Sequence, residues 1–287
     1  MRRRALILLL LPVLAAAQRH REDRPWRVED REKIDRNFSF TGGDPHKLLV
    51  DNISGYVHVT GTSASQVQVS VAKHIGADSS AALADAKKDV KLDITQQGNF
   101  VRLYVDGPFR NDNGTNYRGD DYYGYRVTFD YDIQVPYDTE LVLKTVNAGD
   151  IEVRKTTGDF TINGVNGGID VQEMSGAGTI RTVNGPVKAA FTRNPAKPCE
   201  FRSVNGPLDV YLQPGLNADL DFHTVNGGVY TDFDVMTRPV QANAQNVNGR
   251  VLYRVDRRDM AARAGSGGPD LKFSTVNGAI RLHSKSL

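Results

Sequence analysis

Three aspartate pairs have the spacing at which two carboxylates share one face of a β-strand: Asp130-Tyr131-Asp132, Asp219-Leu220-Asp221 and Asp232-Phe233-Asp234. Residues i and i+2 of a strand lie roughly 6.5 to 7 Å apart at Cα, a separation that suits acid and base groups flanking a glycosidic bond. The residue between each pair is large and apolar, so it is the core-facing member of the alternation and the aspartates face solvent. A second constellation joins acidic oxygens to aromatic rings. Asn111-Asp112-Asn113-Gly114, Tyr117 and Asp120-Asp121-Tyr122-Tyr123-Gly124 lie in a polar, glycine-rich insertion from Gly107 to Gly124. Rings stack on sugars and clustered carboxylates hold Ca²⁺, so Asp112, Asp120, Asp121, Tyr122 and Tyr123 are the candidate ligand loop. The spacing does not match a twelve-residue calcium loop.

No other catalytic signature is present. The chain lacks His-Glu-x-x-His, Gly-x-Ser-x-Gly, a phosphate loop ending in Gly-Lys-Ser/Thr, and zinc-ligand spacing of Cys and His. The six histidines (His20, His46, His58, His74, His223, His283) are dispersed, and none has a second ligand at useful sequence spacing. Cys199 is the single cysteine, so no intrachain disulfide forms; between Pro198 and Phe201 it reads as a small apolar filler. No catalytic residue, metal ligand or cofactor is expected.

What organises the second half is a repeat. Val-Asn-Gly or a close variant recurs seven times, at Asn147, Asn166, Asn184, Asn205, Asn226, Asn248 and Asn277, with separations of 19, 18, 21, 21, 22 and 29 residues. Five of the seven follow Thr or Ser: Thr145, Thr182, Ser203, Thr224 and Thr275. Within one period Ile151-Glu152-Val153 and Phe160-Thr161-Ile162 each alternate apolar and polar, with turns at Thr157-Gly158-Asp159 and Val165-Asn166-Gly167-Gly168. Two half-buried strands per period predict a mainly β, solenoid-like or β-helix stack of short strands with Asn-Gly turns. The Asn-Gly pairs are expected to corner by tolerating positive φ, and turns at constant period superimpose their asparagines. The expectation is a ladder of amide hydrogen bonds, which makes these asparagines structural.

The first half is less regular. Val50 to Gly61 repeats the turn-then-strand texture and reads as a degenerate outlying repeat. Asp78 to Val90 is the one helix candidate, capped by Asp78 or Ser79 and carrying Leu83, Ala86 and Val90 on one face. Lys91–Gln96 and Phe100–Asp106 flank Gln97-Gly98 as a hairpin, and Tyr125–Val135 is a long strand ending at Pro136.

The N-terminus predicts export. Arg2, Arg3 and Arg4 precede the apolar run Ala5–Leu14, and Ala15-Ala16-Ala17 offers small residues for cleavage after Ala17. Losing those three arginines leaves 33 basic against 34 acidic side chains, a balance that gives no support for nucleic-acid binding. The run is too short to span a bilayer comfortably, so no integral span remains after cleavage. The expected organisation is signal peptide 1–17, charged flexible leader 18–33 and a β-strand-repeat domain 34–287, irregular to about 140 and regular over 141–287.

Taken together, one Ala-rich helix, the strand ending Ile133-Gln134-Val135-Pro136 and the serial Val-Asn-Gly turns resemble the bacterial putative-adhesin family, a β-strand-repeat domain of unknown function. The resemblance covers roughly residues 34–287 and transfers no catalytic residue. It implies an exported, mostly β, solenoid-like domain with a surface or binding role, periplasmic, cell-surface or extracellular; a glycan or an envelope protein is the expected kind of partner, its identity not being readable from these residues. The alternatives are a β-helical carbohydrate-active enzyme using an exposed aspartate pair and an accessory protein of envelope-stress sensing.

Overall fold

A computed structural model of the chain describes residues 25–41, 43, 45–111, 114–115, 118–147, 149–239, 243–247, 250–254 and 259–285. The expected signal peptide, Asp112 and Asn248 lie outside the described residues. In chain order the first half comprises β1 (Val28–Ser39), β2 (Lys47–Asp51), β3 (Val57–Thr62), β4 (Gln66–Ala77), α1 (Ser80–Asp89), β5 (Lys91–Gln97), β6 (Phe100–Asp106), β7 (Arg110–Asn111), β8 (Gly114–Thr115), the single turn α2 (Asp120–Tyr123) and β9 (Tyr125–Pro136). The second half continues with β10 (Glu140–Thr145), β11 (Ile151–Arg154), β12 (Phe160–Gly164), β13 (Ile169–Met174), β14 (Gly178–Asn184), β15 (Val187–Phe191), β16 (Cys199–Asn205), β17 (Leu208–Leu212), β18 (Ala218–Asn226) and β19 (Val229–Thr231). It closes with β20 (Val235–Arg238), β21 (Asn243–Val247), β22 (Arg250–Arg254), β23 (Asp259–Ala264), β24 (Asp270–Asn277) and β25 (Ile280–Ser284).

The protein is mainly β, built on two large mixed sheets that do not close into a barrel. One runs β1-β4-β9-β3-β11-β13-β15-β17-β25-β19 and the other β20-β23-β18-β24-β16-β14-β12-β10-β2-β6-β5. From β10 to β17 successive strands alternate between the sheets, and from β12 onwards each pairs in parallel with the strand one period earlier. One strand from each sheet makes a rung. Because side chains alternate along each strand, one apolar column runs Leu103, Val50, Leu143, Ile162, Ile180, Phe201, Phe273, Phe222 across one sheet. All eight are buried, and the matching column Val57, Ile151, Ile169, Val187, Leu208, Ile280 of the other sheet meets them in one core.

Rung order departs from chain order at both ends. The first rung, β2–β3, lies between β6 and β9 on one side and β10–β11 on the other. The last, β24–β25, sits between β16–β17 and β18–β19, so the final Val-Asn-Gly unit is internal. Antiparallel strands flank three of the four sheet ends, with β4 pairing β9 and β1 pairing β4, β5 pairing β6, and β23 pairing β18 with β20 outside it, while the fourth ends on the short parallel strand β19. At those three ends they keep apolar rungs from meeting another chain edge to edge.

The expected flexible leader is corrected where it can be seen. Val28–Lys33 form the first half of β1, hydrogen-bonded along its length to β4, and Trp26 lies over Gly76. Ile34 and Phe38 pack on the core while the intervening charges face out, so a charged segment serves as an edge strand. The helix falls at Ser80–Asp89, capped by Ser79, whose Oγ accepts the Ala82 N–H at 3.1 Å. Among the described residues no helix is long and apolar enough to cross a membrane.

Cys199 is 3% exposed at the start of β16, and burial pushes its thiol up to about 11. At about pH 8 the folded protein is expected to resist a thiol reagent that labels the unfolded chain at once; rapid native labelling would contradict this burial.

Candidate functional site

The hydroxyl, the amide and the glycine of the Thr/Ser-Val-Asn-Gly unit each have a contact one rung away. Asn166 Nδ2 donates to Asn147 Oδ1 at 3.1 Å, Asn184 to Asn166 at 2.8 Å and Asn205 to Asn184 at 2.8 Å. Asn277 then donates to Asn205 at 2.7 Å, and Asn226 to Asn277 at 2.8 Å, so the amides follow rung order rather than chain order. The preceding hydroxyl bonds the glycine carbonyl of the neighbouring rung: Thr145 to Gly55 at 3.1 Å, Thr182 to Gly167 at 3.0 Å, Ser203 to Gly185 at 2.9 Å and Thr275 to Gly206 at 3.0 Å.

The reason for glycine differs from the one expected. Among the described residues none of the turn asparagines has positive φ, and of the Val-Asn-Gly glycines only Gly185, at +155°, departs from negative φ, with Gly55 of the outlying unit at +108°. What excludes a side chain is proximity. A Cβ on Gly149, Gly167, Gly185, Gly206, Gly278 or Gly227 would lie 1.9 to 2.3 Å from the glycine carbonyl oxygen of the adjacent rung. Rungs at strand-pairing distance leave no room for it.

The ladder is exposed, so each amide bond stabilises modestly. Asn205→Ala breaks two rungs of it and is expected to cost about 1 kcal/mol, read as a shift in urea midpoint; an unchanged midpoint would remove the ladder from the stability account.

Chemistry-bearing side chains converge on the outer face beside this ladder, where β16, β24, β18 and β23 adjoin. Aligned across them are Glu200, Lys272 and Asp221 in one row and Arg202, Ser274, His223 and Asp259 in the next. With Arg238, Pro239 and Met260 they line an open cleft of about 580 Å³. His223 Nδ1 is 2.6 Å from Asp259 Oδ1, and Arg181 Nη2 donates to Glu200 at 2.9 Å. Asp219 anchors the rim: Arg263 donates to both its oxygens, at 2.7 and 3.1 Å, and Arg238 pairs with it at 2.9 Å. The Arg263 hydrogen bond, reinforced by the Arg238 charge, holds its carboxyl below the usual range. Arg202, Lys272, Asp221 and Asp270 have no ion pair among the described residues. The cleft therefore presents free cations and free carboxylates together, able to hydrogen-bond a polyhydroxylated ligand.

A second groove, of about 440 Å³, crosses the outer face of β1, β4, β9 and β3. Its charges satisfy one another. Ser70 Oγ donates to Asp35 at 2.8 Å, Lys33 pairs with Asp35 at 3.2 Å, and His58 lies 3.3 Å from Asp132.

The expected ligand loop is only partly exposed. Asp120 is ion-paired with Arg126, and Tyr123 packs against Phe109 and Tyr125 at ring separations of 6.5 and 5.7 Å. Both therefore also have contacts within the fold. Tyr122, 62% exposed, carries Arg118 over its ring at 4.9 Å. Asp121 lies in α2. Of the aspartate pairs, Asp130 and Asp132 lie on β9 and Asp219 and Asp221 on β18, around buried Tyr131 and Leu220. Asp232 and Asp234 fall between β19 and β20, so the expected third strand-borne pair is corrected.

The histidines gain partners from the fold. His46, His58, His74, His223 and His283 each lie within 3.4 Å of a carboxylate, on Asp138, Asp132, Glu29, Asp259 and Asp209. Sequence reasoning missed these pairs because the partners are distant in the chain. One signal was available: Arg202, His223 and Ser274 each stand three residues before a repeat asparagine, which assigns them one row.

No protein-family model and no curated protein matches the chain. The chain is similar to solved structures of bacterial putative adhesins. A putative cell adhesion protein from Clostridium sporogenes ATCC 15579 aligns at 11% identity over 89% of this chain and 100% of its own, with a TM-score of 0.46. A putative adhesin from Bacteroides fragilis NCTC 9343 aligns at 14% identity over 88% of this chain and 97% of its own, TM-score 0.38. A putative lipid binding protein from Parabacteroides distasonis ATCC 8503 aligns at 10% identity over 87% and 96%, TM-score 0.29.

Proposed function

We propose that this protein is an exported, non-enzymatic interaction module of the cell surface or envelope, adhesin-like in build, in which the rungs form a β-solenoid and the cleft on β16, β24, β18 and β23 engages a glycan. The observation that carries the reading is the cleft itself, with Arg202, Lys272, Asp221 and Asp270 uncommitted on a face whose other charges are largely paired. Sugar hydroxyls are recognised by such groups of both signs, and a scaffold fixed by serial parallel pairing leaves only their side chains to be ordered on binding. Export rests on Arg2–Arg4, the apolar run and the alanine cleavage site.

The test uses residues 18–287 against a panel of cell-wall and extracellular polysaccharides, scoring retained protein and new chain ends in parallel. Retention without product is expected, with Arg202→Ala/Lys272→Ala weakening it by roughly tenfold or more. Retention unaffected by that double variant would move the site elsewhere; Tyr122→Ala then tests the exposed tyrosine of the insertion.

A second reading, a carbohydrate-active enzyme, is favoured by one observation. Asp130 is pushed above the usual carboxylate range, chiefly by burial, while Asp132 lies two residues away on the same strand. Paired carboxylates of unlike environment are how acid and base roles divide. Against it, Asp130 Oδ1 accepts the Tyr56 N–H at 3.0 Å, a structural use. Product formation lost in Asp130→Asn would establish the enzyme.

A further inference from the structure

The internal position of the last rung carries an inference independent of the cleft and its ligand. The chain lays down β16–β17, then β18–β19, and only afterwards returns β24–β25 into the space between them. Both walls of that space are complete parallel edges: β24 bonds β16 on one side and β18 on the other, and β25 bonds β17 and β19. Before β24–β25 arrives, two ladder edges and an apolar slot stand open.

The slot recognises its occupant through the repeat unit. Asn277 is held between Asn205 and Asn226, Thr275 Oγ1 donates to Gly206 O, and Phe273 stacks between Phe201 and Phe222 at 5.2 and 5.3 Å. None of these contacts depends on which copy of the chain supplies the rung.

The approach to β24 is built to open. Residues 265–269 read Gly-Ser-Gly-Gly-Pro, and Gly265 and Gly267 adopt φ of +57° and +82°. Outside the local turn from Gly267 N to Ala264 O, this segment is tethered at two places: Asn217 Oδ1 accepts the Ser266 N–H and hydroxyl at 2.9 and 3.0 Å, and Pro269 O accepts the Asp219 N–H at 3.2 Å. Straightening such a glycine-rich hinge costs little, and an exchanged rung remakes every contact of the closed form.

We propose that two copies of this chain exchange the β24–β25 rung, each copy's Asp270–Ser284 segment filling the slot between β16–β17 and β18–β19 of the other. Closed and exchanged forms then differ in hinge conformation and in the entropy of association, so protein concentration during folding selects between them.

The test places cysteines at Asp209 and Arg281, directly paired partners on β17 and β25 that lie outside the cleft. The chain carrying Asp209→Cys/Arg281→Cys is refolded reduced at about 1 and about 100 µM, sized by light scattering, then oxidised and mapped by mass spectrometry. Expected are a dimer fraction rising roughly fivefold or more with concentration, persistence of that dimer on dilution, and 209–281 disulfides joining two chains. Monomer at both concentrations, or a dimer whose 209–281 disulfides are all intrachain, would overturn the proposal. The unsubstituted chain gives an independent reading. Isotope-labelled and unlabelled copies should form mixed dimers when refolded together and none when mixed already folded, because exchange requires opening the core; mixing of folded copies would indicate an ordinary surface dimer instead.

Discussion

Gly206→Ala is expected to destabilise the protein by about 3 kcal/mol or more. An added Cβ would lie 2.0 Å from the Gly185 carbonyl oxygen and 2.5 Å from its carbon. Neither atom can withdraw. Gly185 donates its own N–H to Asn205 O at 3.1 Å, and β14 and β16 are hydrogen-bonded in parallel up to Asn184 and Asn205. Relief requires parting the rungs, which also breaks the Ser203 hydroxyl bond to Gly185 O. Gly164→Ala is the control, since its nearest neighbour beyond the adjoining residues is a side chain, Thr182 Oγ1 at 3.2 Å. Urea denaturation of both variants reads the difference. A Gly206→Ala midpoint no lower than that of Gly164→Ala would mean the turns are not packed backbone to backbone.

Phe273→Ala is expected to cost about 3 to 5 kcal/mol through lost burial and the cavity left behind. The ring is 1% exposed and stacked face to face between Phe201 and Phe222, with interplanar angles of 8° and 19°. It belongs to the rung on which β18–β19 depends for its parallel neighbour, so the loss is not confined to one layer. Hydrogen exchange should find amides of β18 less protected in the variant than those of β12, which is four strands further along the sheet. Equal loss of protection across the stack would show instead that all rungs open as one unit.

Much of this architecture was legible in the residues. The alternation in Ile151-Glu152-Val153 and its counterparts marked the strands, because each has one buried and one solvated face. The Val-Asn-Gly period marked where one rung succeeds another, and the stacked asparagines follow from constant period. Helix α1 and the hairpin of β5 and β6 were readable because capping, helical spacing and a turn at Gly98 are local. The charged strand β1 was not: its pairing with β4 is a long-range contact that leaves little trace in a segment rich in Arg, Asp and Glu.

The candidate site was less accessible still. Aligning the repeats on their asparagines puts Arg202, His223 and Ser274 in one row, yet no local rule says that Ser274 stands between the other two. His223 and Asp259 are 36 residues apart and meet only because β23 returns antiparallel beside β18. In the insertion, composition identified polar and aromatic groups but could not say that Asp120 is committed to Arg126 and Tyr123 to the packing of Phe109.

By itself, then, the sequence determined the strand texture, the period, the turn residues and the composition of each face, since these are set by side chains within one or two rungs. Only the tertiary structure decided the order of the rungs, the antiparallel ends, the cleft and the true reason for the turn glycines. Every Val-Asn-Gly unit has interchangeable edges, so which one lies beside which is chosen by the connections and the packing of the whole, and a carbonyl 2 Å from a missing Cβ belongs to the neighbouring rung rather than to the glycine's own turn.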